Sequence, residues 1–328
     1  MHVFVLRTKR TMRLLAVGVA IGGLTLGCAR SDAERPVDVT ANFEGPPAPP
    51  PRDPLRFTAA AYCRIVAQPG LAHWDRDLLT TCPDSRDVDG GASCTVAELV
   101  DGMPRDVDVP DVHLALRADA GRLVILHTNG TLAVRNASGT ETQIAAWAAE
   151  PNVAPDGARV AFIGLGDNVT APSEGLLEPG TATRVMTHDL RDGTKRVIAD
   201  DAEASTPFLV PDSDDVVYVS SRSGLASIWR GNGEYEVQVT NAGLQSGDPG
   251  VLPTFGSRAV WMPGARTLAF EASTTESVVW TYDVLRGTLE PLGPGTWPQL
   301  GTDGALLAAH APSGKADCAV TYHSLNKP

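Results

Sequence analysis

The sequence lacks the short motifs by which many enzymes are recognised. It contains no Gly-x-Ser-x-Gly nucleophile elbow, no His-Glu-x-x-His pair and no phosphate-binding glycine loop. Its seven histidines share no local spacing. Without a recognisable nucleophile, acid–base pair or ligand set, we predict no catalytic residue, no bound metal and no cofactor.

Positive charge is also scarce. The chain has 27 Lys and Arg residues against 39 Asp and Glu, a formal net charge of -12. Residues 1–27 hold four of the basic residues and no acidic one, so the remainder would carry -16. Such an acidic surface repels phosphate backbones and anionic lipid. We therefore exclude nucleic acid as a partner and expect membrane contact only through a lipid anchor.

The amino terminus is typical of an export signal. Basic residues up to Arg13 precede the apolar run Leu14–Leu26, whose 13 residues are too few to span a bilayer. The following Leu-Thr-Leu-Gly-Cys ends at Cys28 and resembles a bacterial lipobox. This resemblance implies a lipoprotein signal peptide over residues 1–27, lipidation of Cys28 and anchoring to the outer membrane, on its periplasmic or cell-surface side. Cleavage after Ala29, giving a soluble secreted protein, is the alternative.

Residues 28–54 are rich in proline and poor in large apolar side chains. A segment of this composition cannot bury a core, and Pro-rich stretches stay extended. We expect it to be a flexible tether that holds the folded part away from the membrane.

A turn followed by an apolar strand recurs five times after this tether. The copies lie about 37 to 56 residues apart, a spacing that indicates an array of four-stranded units. In the third copy the strand VVYVS is apolar at consecutive positions, which predicts a sheet covered on both faces. The copies begin at Ala118, Pro155, Pro211, Pro263 and Thr302.

At these Pro-Asp-Gly-like turns the chain resembles the TolB-like β-propellers, whose blades are built from WD-like repeats. The resemblance covers residues 111–328. It implies an all-β fold, a β-propeller of four-stranded blades. It also implies six blades, although only five repeats are visible. A β-sandwich is the alternative, but nothing in a sandwich requires one motif to recur five times.

Residues 55–110 form a small disulfide-containing segment, which we interpret as either a cap or a diverged blade. Its cysteines and Cys318 allow three pairings in an oxidising compartment. We favour Cys63 with Cys82 and Cys94 with Cys318. Since the chain ends before a last blade is complete, Cys94–Val100 could supply the strand that closes the ring.

Two places are candidates for binding. The insertion Gly164–Thr181 lengthens one hairpin, and its Asp167 and Asn168 could contact a partner, unless the insertion is merely tolerated. Trp297 and Gln299 precede the fifth turn on an expected innermost strand. They could line a small pocket, unless Trp297 packs between blades.

The predicted function is a non-catalytic interaction or ligand-binding module of the bacterial envelope. The TolB-like resemblance implies docking of an envelope protein or a glycan. The alternative is a propeller hydrolase, lactonase-like or glycosidase-like, with a metal or carboxylates at the channel mouth. Three or more convergent acidic, His or Asn side chains at the axis would favour that alternative.

Overall fold

Short antiparallel strands joined by tight turns account for most of the regular structure. The computed structural model describes residues 56–83, 93–172, 177, 180–224, 226–239, 258–262, 266–273, 277–302, 305–309 and 320–322. The predicted signal peptide, the tether and Cys28 lie outside these residues, as does Cys318. In the described part, no helix is both long and apolar enough to cross a membrane.

The first half of the described chain contains one helix and three four-stranded sheets, each in simple chain order. The helix is α1 (Ala59–Val66). Sheet 1 comprises β1 (Leu71–Asp75), β2 (Leu78–Thr81), β3 (Thr95–Val100) and β4 (Met103–Val107). Sheet 2 comprises β5 (Val112–Arg117), β6 (Leu123–His127), β7 (Leu132–Arg135) and β8 (Glu141–Ala145). Sheet 3 comprises β9 (Ala148–Val153), β10 (Arg159–Leu165), β11 (Thr183–Asp189) and β12 (Lys195–Asp200).

The second half contains two further four-stranded sheets and one with three described strands. Sheet 4 comprises β13 (Ala204–Leu209), β14 (Val216–Ser220), β15 (Ser227–Gly231) and β16 (Glu236–Gln238). Sheet 5 comprises β17 (Ala259–Trp261), β18 (Thr267–Ser273), β19 (Ser277–Asp283) and β20 (Thr288–Pro294). Sheet 6 comprises β21 (Thr296–Leu300), β22 (Leu306–Ala309) and β23 (Val320–Tyr322).

The Pro-Asp-Gly turn of sheet 3 forms a backbone hydrogen bond to the equivalent turn of sheet 2. Asp156 accepts a hydrogen bond from the Ala158 backbone N–H at 3.0 Å, which closes the turn between β9 and β10. Gly157 has φ +75, and its carbonyl accepts from the backbone N–H of Asp119, in the equivalent turn of sheet 2. A Cβ at Gly157 would lie 2.5 Å from that nitrogen, so the contact requires glycine.

The apolar strands are buried on both faces, as the VVYVS pattern predicted. All five residues of β14 are buried. Separate apolar clusters join sheets 1 and 2, 2 and 3, 3 and 4, 4 and 5, and 5 and 6. The first strands of sheets 2, 3, 4 and 6 each pack against the first two strands of the preceding sheet. This is an all-β propeller with four-stranded blades, five of which are complete in the described residues.

A sixth cluster joins the two ends of the described chain. Tyr62 and Ile65 of α1 are buried with Trp74 of sheet 1 and Leu307 of sheet 6. The Phe57 N–H donates to Leu300 O at 2.8 Å, and Phe57 O accepts from Thr302 N at 3.1 Å. Phe57 thereby extends the inner edge of sheet 6 by one parallel bridge to Gly301.

Two sequence-based expectations about this region were wrong. Cys82 bonds Cys94 rather than Cys63, and Cys94 does not pair with Cys318. The reason is local, because Thr81 pairs with Thr95 at the end of the β2–β3 hairpin and brings the adjacent cysteines to a Cα–Cα distance of 4.3 Å. Cys63 is also disulfide-bonded.

The expected ring-closing strand was the second error. Residues 95–100 form β3, which pairs with β2 on one side and with β4 on the other. Both edges of that strand are therefore used within sheet 1. Residues 55–110 contain a helix and a complete four-stranded sheet, and α1 and Phe57 provide the contact to sheet 6.

Candidate functional site

The four predicted binding residues occupy two separate places. Asp167 and Asn168 follow β10 in sheet 3, whereas Trp297 and Gln299 lie on β21 in sheet 6. Trp297 and Gln299 are both buried, at 7 % and 8 % exposure. The structure therefore does not assemble these four residues into one pocket.

Asp167 forms an ion pair with Arg184 of the same sheet. Its two oxygens accept from the guanidinium of Arg184 at 2.6 and 2.7 Å, and Arg184 also contacts Asp200. Hydrogen bonding to Arg184 lowers the pKa of Asp167, so this carboxylate stays charged. Asn168 beside it adopts φ 62. Both residues remain candidates for a partner contact, on a loop whose beginning is anchored by this ion pair.

A bulge of the same form interrupts the first strand of sheets 3, 4 and 6. Glu150, Thr206 and Trp297 each precede a proline and have φ between 45 and 54. In each case two residues face one residue of the second strand. First strands line the axis of a propeller, so the bulge re-aims one side chain per sheet near its channel.

Glu150 and Thr206 meet across neighbouring sheets through these bulges. A Glu150 carboxylate oxygen accepts from the Thr206 backbone N–H. Desolvation by the surrounding strands raises the pKa of Glu150, and the hydrogen bond from Thr206 opposes this shift. Glu150 is nevertheless exposed to solvent.

Trp297 belongs to a polar network built around Arg258. The Arg258 guanidinium carbon lies 4.0 Å from the centre of the Trp297 ring. Its Nη1 donates to Glu271 at 3.1 Å and to the Thr296 hydroxyl at 2.9 Å. Glu271 is 5 % exposed and also accepts from the hydroxyls of Thr296 and Ser277. Burial raises the pKa of Glu271, but these hydrogen bonds and Arg258 together lower it, so the carboxylate is ionised.

The β1 strand brings a third sheet to this network. His73 lies on β1, and its pKa is lowered by desolvation, raised by Asp75 and lowered by the charge of Arg258. Arg258 and His73 belong to sheets 5 and 1, with sheet 6 between them. The charge of Arg258 is the smallest of these three contributions to the His73 pKa.

Arg76 joins sheets 1 and 3 at the opposite end of their first strands. Arg76 follows β1 with φ 54, and its Nη2 donates to Ala154 O at 2.7 Å, beyond the end of β9. The side chain thus passes from sheet 1 to sheet 3. We call this end, where the first strands end, the turn face, and the end near Arg258 and Thr296 the entry face.

A charged groove lies on the turn face between sheets 3 and 4. It has a volume of about 480 Å³, and its only large apolar lining residue is Leu209. Five carboxylates face three guanidiniums there, which leaves two negative charges. Arg159 and Arg196 both pair with Asp214, and Arg191 pairs with Asp189. The charged residues lining the groove are Asp156, Arg159, Asp189, Arg191, Asp192, Arg196, Asp212 and Asp214.

Sequence reasoning missed the groove, Arg258 and Glu271. Two signals were present. The Glu-Pro, Thr-Pro and Trp-Pro pairs recur six residues before the turn aspartates, and Glu271 interrupts the otherwise apolar strand β18. Within the residues that the structure describes, no three His, Cys, Asp or Glu side chains are grouped so as to hold a metal ion.

Comparison with known proteins identifies the fold. No protein-family model matches the chain. No curated protein matches it in sequence either. TolB from Acinetobacter baumannii is similar in structure, with a TM-score of 0.50 and 15% identity over 73% of this chain and 59% of that one. An oligogalacturonate lyase in complex with manganese also has a TM-score of 0.50, with 14% identity over 80% and 71%.

A putative TolB from Agrobacterium tumefaciens has a TM-score of 0.48, at 15% identity over 76% of this chain and 87% of that one. The chain spans 59% of the length of the Acinetobacter TolB. At these identities the likeness concerns the fold alone. The TolB-like propeller fold predicted from the Pro-Asp-Gly repeats is confirmed.

Proposed function

We propose, from its TolB-like propeller fold, that this chain is an exported binding module of the bacterial envelope. In this proposal Cys28 carries the lipid that anchors it to the outer membrane, and the propeller docks an envelope protein. The observation that carries the binding role is the charged groove of about 480 Å³ between sheets 3 and 4.

The chemistry of the groove favours a protein segment as the occupant. Its guanidiniums and carboxylates can pair with basic and acidic side chains, and the surplus of two carboxylates favours a segment with net positive charge. No aromatic ring on which a sugar could stack is among the residues that line the groove. A protein is therefore a better fit than a glycan.

The ring in this proposal has six blades. Sheet 6 would be the sixth blade, and α1 with Phe57 would fill the place of a conventional ring-closing strand. Support comes from the apolar cluster that contains residues of α1, sheet 1 and sheet 6.

A propeller-type hydrolase, with its site at the channel mouth, is the second candidate. Glu150 favours it, because a solvent-accessible carboxyl with a raised pKa is a common general acid. Its bond to Thr206 N would orient it toward the channel. The fold does not choose between these functions, since TolB and a lyase have equal TM-scores to this chain.

Photo-crosslinking tests the groove. We expect p-benzoylphenylalanine in place of Thr194, an exposed residue of the groove, to crosslink a protein in envelope fractions. Thr140 is the matched control, because it occupies the equivalent hairpin of sheet 2 outside the groove. Adding Asp192→Lys and Asp212→Lys should remove the crosslinked band, because the groove then repels a basic segment.

Equal crosslinking from Thr194 and Thr140 would reject the groove as the docking site. So would a band that survives the double reversal of charge. A crosslink to glycan alone would mean that the partner is a glycan and not a protein.

A further inference from the structure

Arg258 has the features of an anchored ligand-binding guanidinium. One face of its planar group lies on the buried Trp297 ring, and Nη1 is held by Glu271 and Thr296. Its side chain is nevertheless 35% exposed. Nε and Nη2 donate no hydrogen bond to any described residue. The stacking and the Nη1 bonds fix the orientation of the free edge.

Arg258 lies where the first strand of sheet 5 begins, and its side chain is partly exposed there. Arg258 immediately precedes β17, the first strand of sheet 5, and its carbonyl accepts from the Glu271 backbone N–H. Thr296 begins β21 in sheet 6, and His73 lies on β1 in sheet 1. Sheets 5 and 6 thus both contribute to this place on the entry face, through Arg258, Glu271 and Thr296. An ion pair with a purely structural role would require only Arg258 and Glu271, whereas Thr296 and Trp297 also contact this guanidinium.

We propose that the entry face binds a carboxylate group through the Nε and Nη2 edge of Arg258. A guanidinium fork matches the two oxygens of a carboxylate, and a fork already oriented by stacking loses little entropy on binding. Because Glu271 neutralises much of the charge of Arg258, the site suits a singly charged carboxylate better than a doubly charged phosphate.

The carboxylate could belong to a small free anion or to the carboxyl terminus of a peptide. Either source presents the same planar group to Arg258. The carboxylate site is distinct from the charged groove, which lies on the turn face. If carboxylate binding at Arg258 is disproved, the docking function proposed for the groove is therefore unaffected.

Nuclear magnetic resonance of the Arg Nε–H groups tests the proposal. The Arg258 signal is assigned as the one that disappears in Arg258→Lys. We expect propionate, added at constant ionic strength, to shift this signal in a saturable manner, while propionamide leaves it in place. An acetylated tri-alanine peptide with a free carboxyl terminus, and its amide, form the second pair of probes.

Arg258→Lys keeps the charge but loses the fork, so we expect it to weaken propionate binding by about tenfold, followed through the Trp297 indole signal. Arg286→Gln is the control, because Arg286 is exposed on a hairpin of sheet 5. We expect this variant to bind propionate as tightly as the unmodified protein does. A response to the peptide acid alone would assign the carboxylate to a peptide terminus. The proposal is overturned if neither acid shifts the Arg258 signal, or if the amides act as strongly as the acids.

Discussion

Replacing Tyr62 by alanine is expected to lower the free energy of unfolding by about 3–5 kcal/mol, a large part of the stability of an ordinary domain. The Tyr62 side chain is fully buried. Its ring centre lies 5.6 Å from that of Trp74 in sheet 1. Its hydroxyl donates to Trp297 O at 2.8 Å in sheet 6. One side chain therefore joins the two ends of the described chain.

Urea denaturation followed by circular dichroism measures the effect of Tyr62→Ala. Tyr62→Phe retains the ring and loses only the hydroxyl, so its cost should be smaller, about 1–3 kcal/mol, because the buried Trp297 carbonyl loses a donor. Leu285→Ala is the exposed control, and it should stay within about 0.5 kcal/mol of the unmodified protein. A Tyr62→Ala variant as stable as Leu285→Ala would mean that α1 does not join the two ends.

Replacing Cys318 by serine is expected to free one thiol, that of Cys63. Cys63 is disulfide-bonded, while Cys82 and Cys94 bond each other. Of the two other cysteines, Cys28 lies in the expected lipobox and Cys318 lies two residues before β23. Cys63 belongs to α1, which packs against β22, the neighbour of β23. We therefore propose Cys318 as its partner.

The loop that a bond between Cys63 and Cys318 would close is very long. In the chain-entropy model its loss costs up to about 5 kcal/mol, against about 3 kcal/mol for the short loop between Cys82 and Cys94. Thermal unfolding without reductant measures the loss, and alkylation with mass spectrometry identifies the free thiol. Cys82→Ser with Cys94→Ser is the comparison pair. Alkylation of Cys94, or continued protection of Cys63, in Cys318→Ser would contradict this pairing.

The features that the sequence predicted well depend on local chemistry. A turn is decided by residues such as Asp156 and Gly157, whose side-chain bond and positive φ act within a few residues. The apolar run of β14 likewise indicates burial on both faces wherever the strand lies in the fold. Repetition of these local signals was sufficient to predict a propeller.

The features that the sequence did not predict depend on which distant segments meet. Pairing Cys82 with Cys94 required the register of β2 against β3, and cysteine spacing alone leaves three pairings open. Residues 55–110 contain few β-branched residues, so the sequence did not indicate the complete sheet that forms there. The buried positions of its first two strands are occupied largely by leucine and tryptophan.

The candidate site was only partly predictable for the same reason. Trp297 was chosen because it lies on an inner strand, but its contact with Arg258 joins residues 39 positions apart on different sheets. Glu271 is the more instructive omission. A carboxylate in an apolar strand must be paired or hydrogen-bonded when buried, so its presence in β18 pointed to a partner that only the fold identifies.

Hydrogen exchange at Phe57 and Thr302 tests most directly whether the amino-terminal segment closes the ring. Both backbone N–H groups are bonded across this junction, to Leu300 O and to Phe57 O. If the segment docks on sheet 6, both amides should exchange far more slowly than in an unstructured peptide, and Tyr62→Ala should speed up both. Exchange of both amides at the unstructured rate in the intact protein would contradict a ring closed in this way.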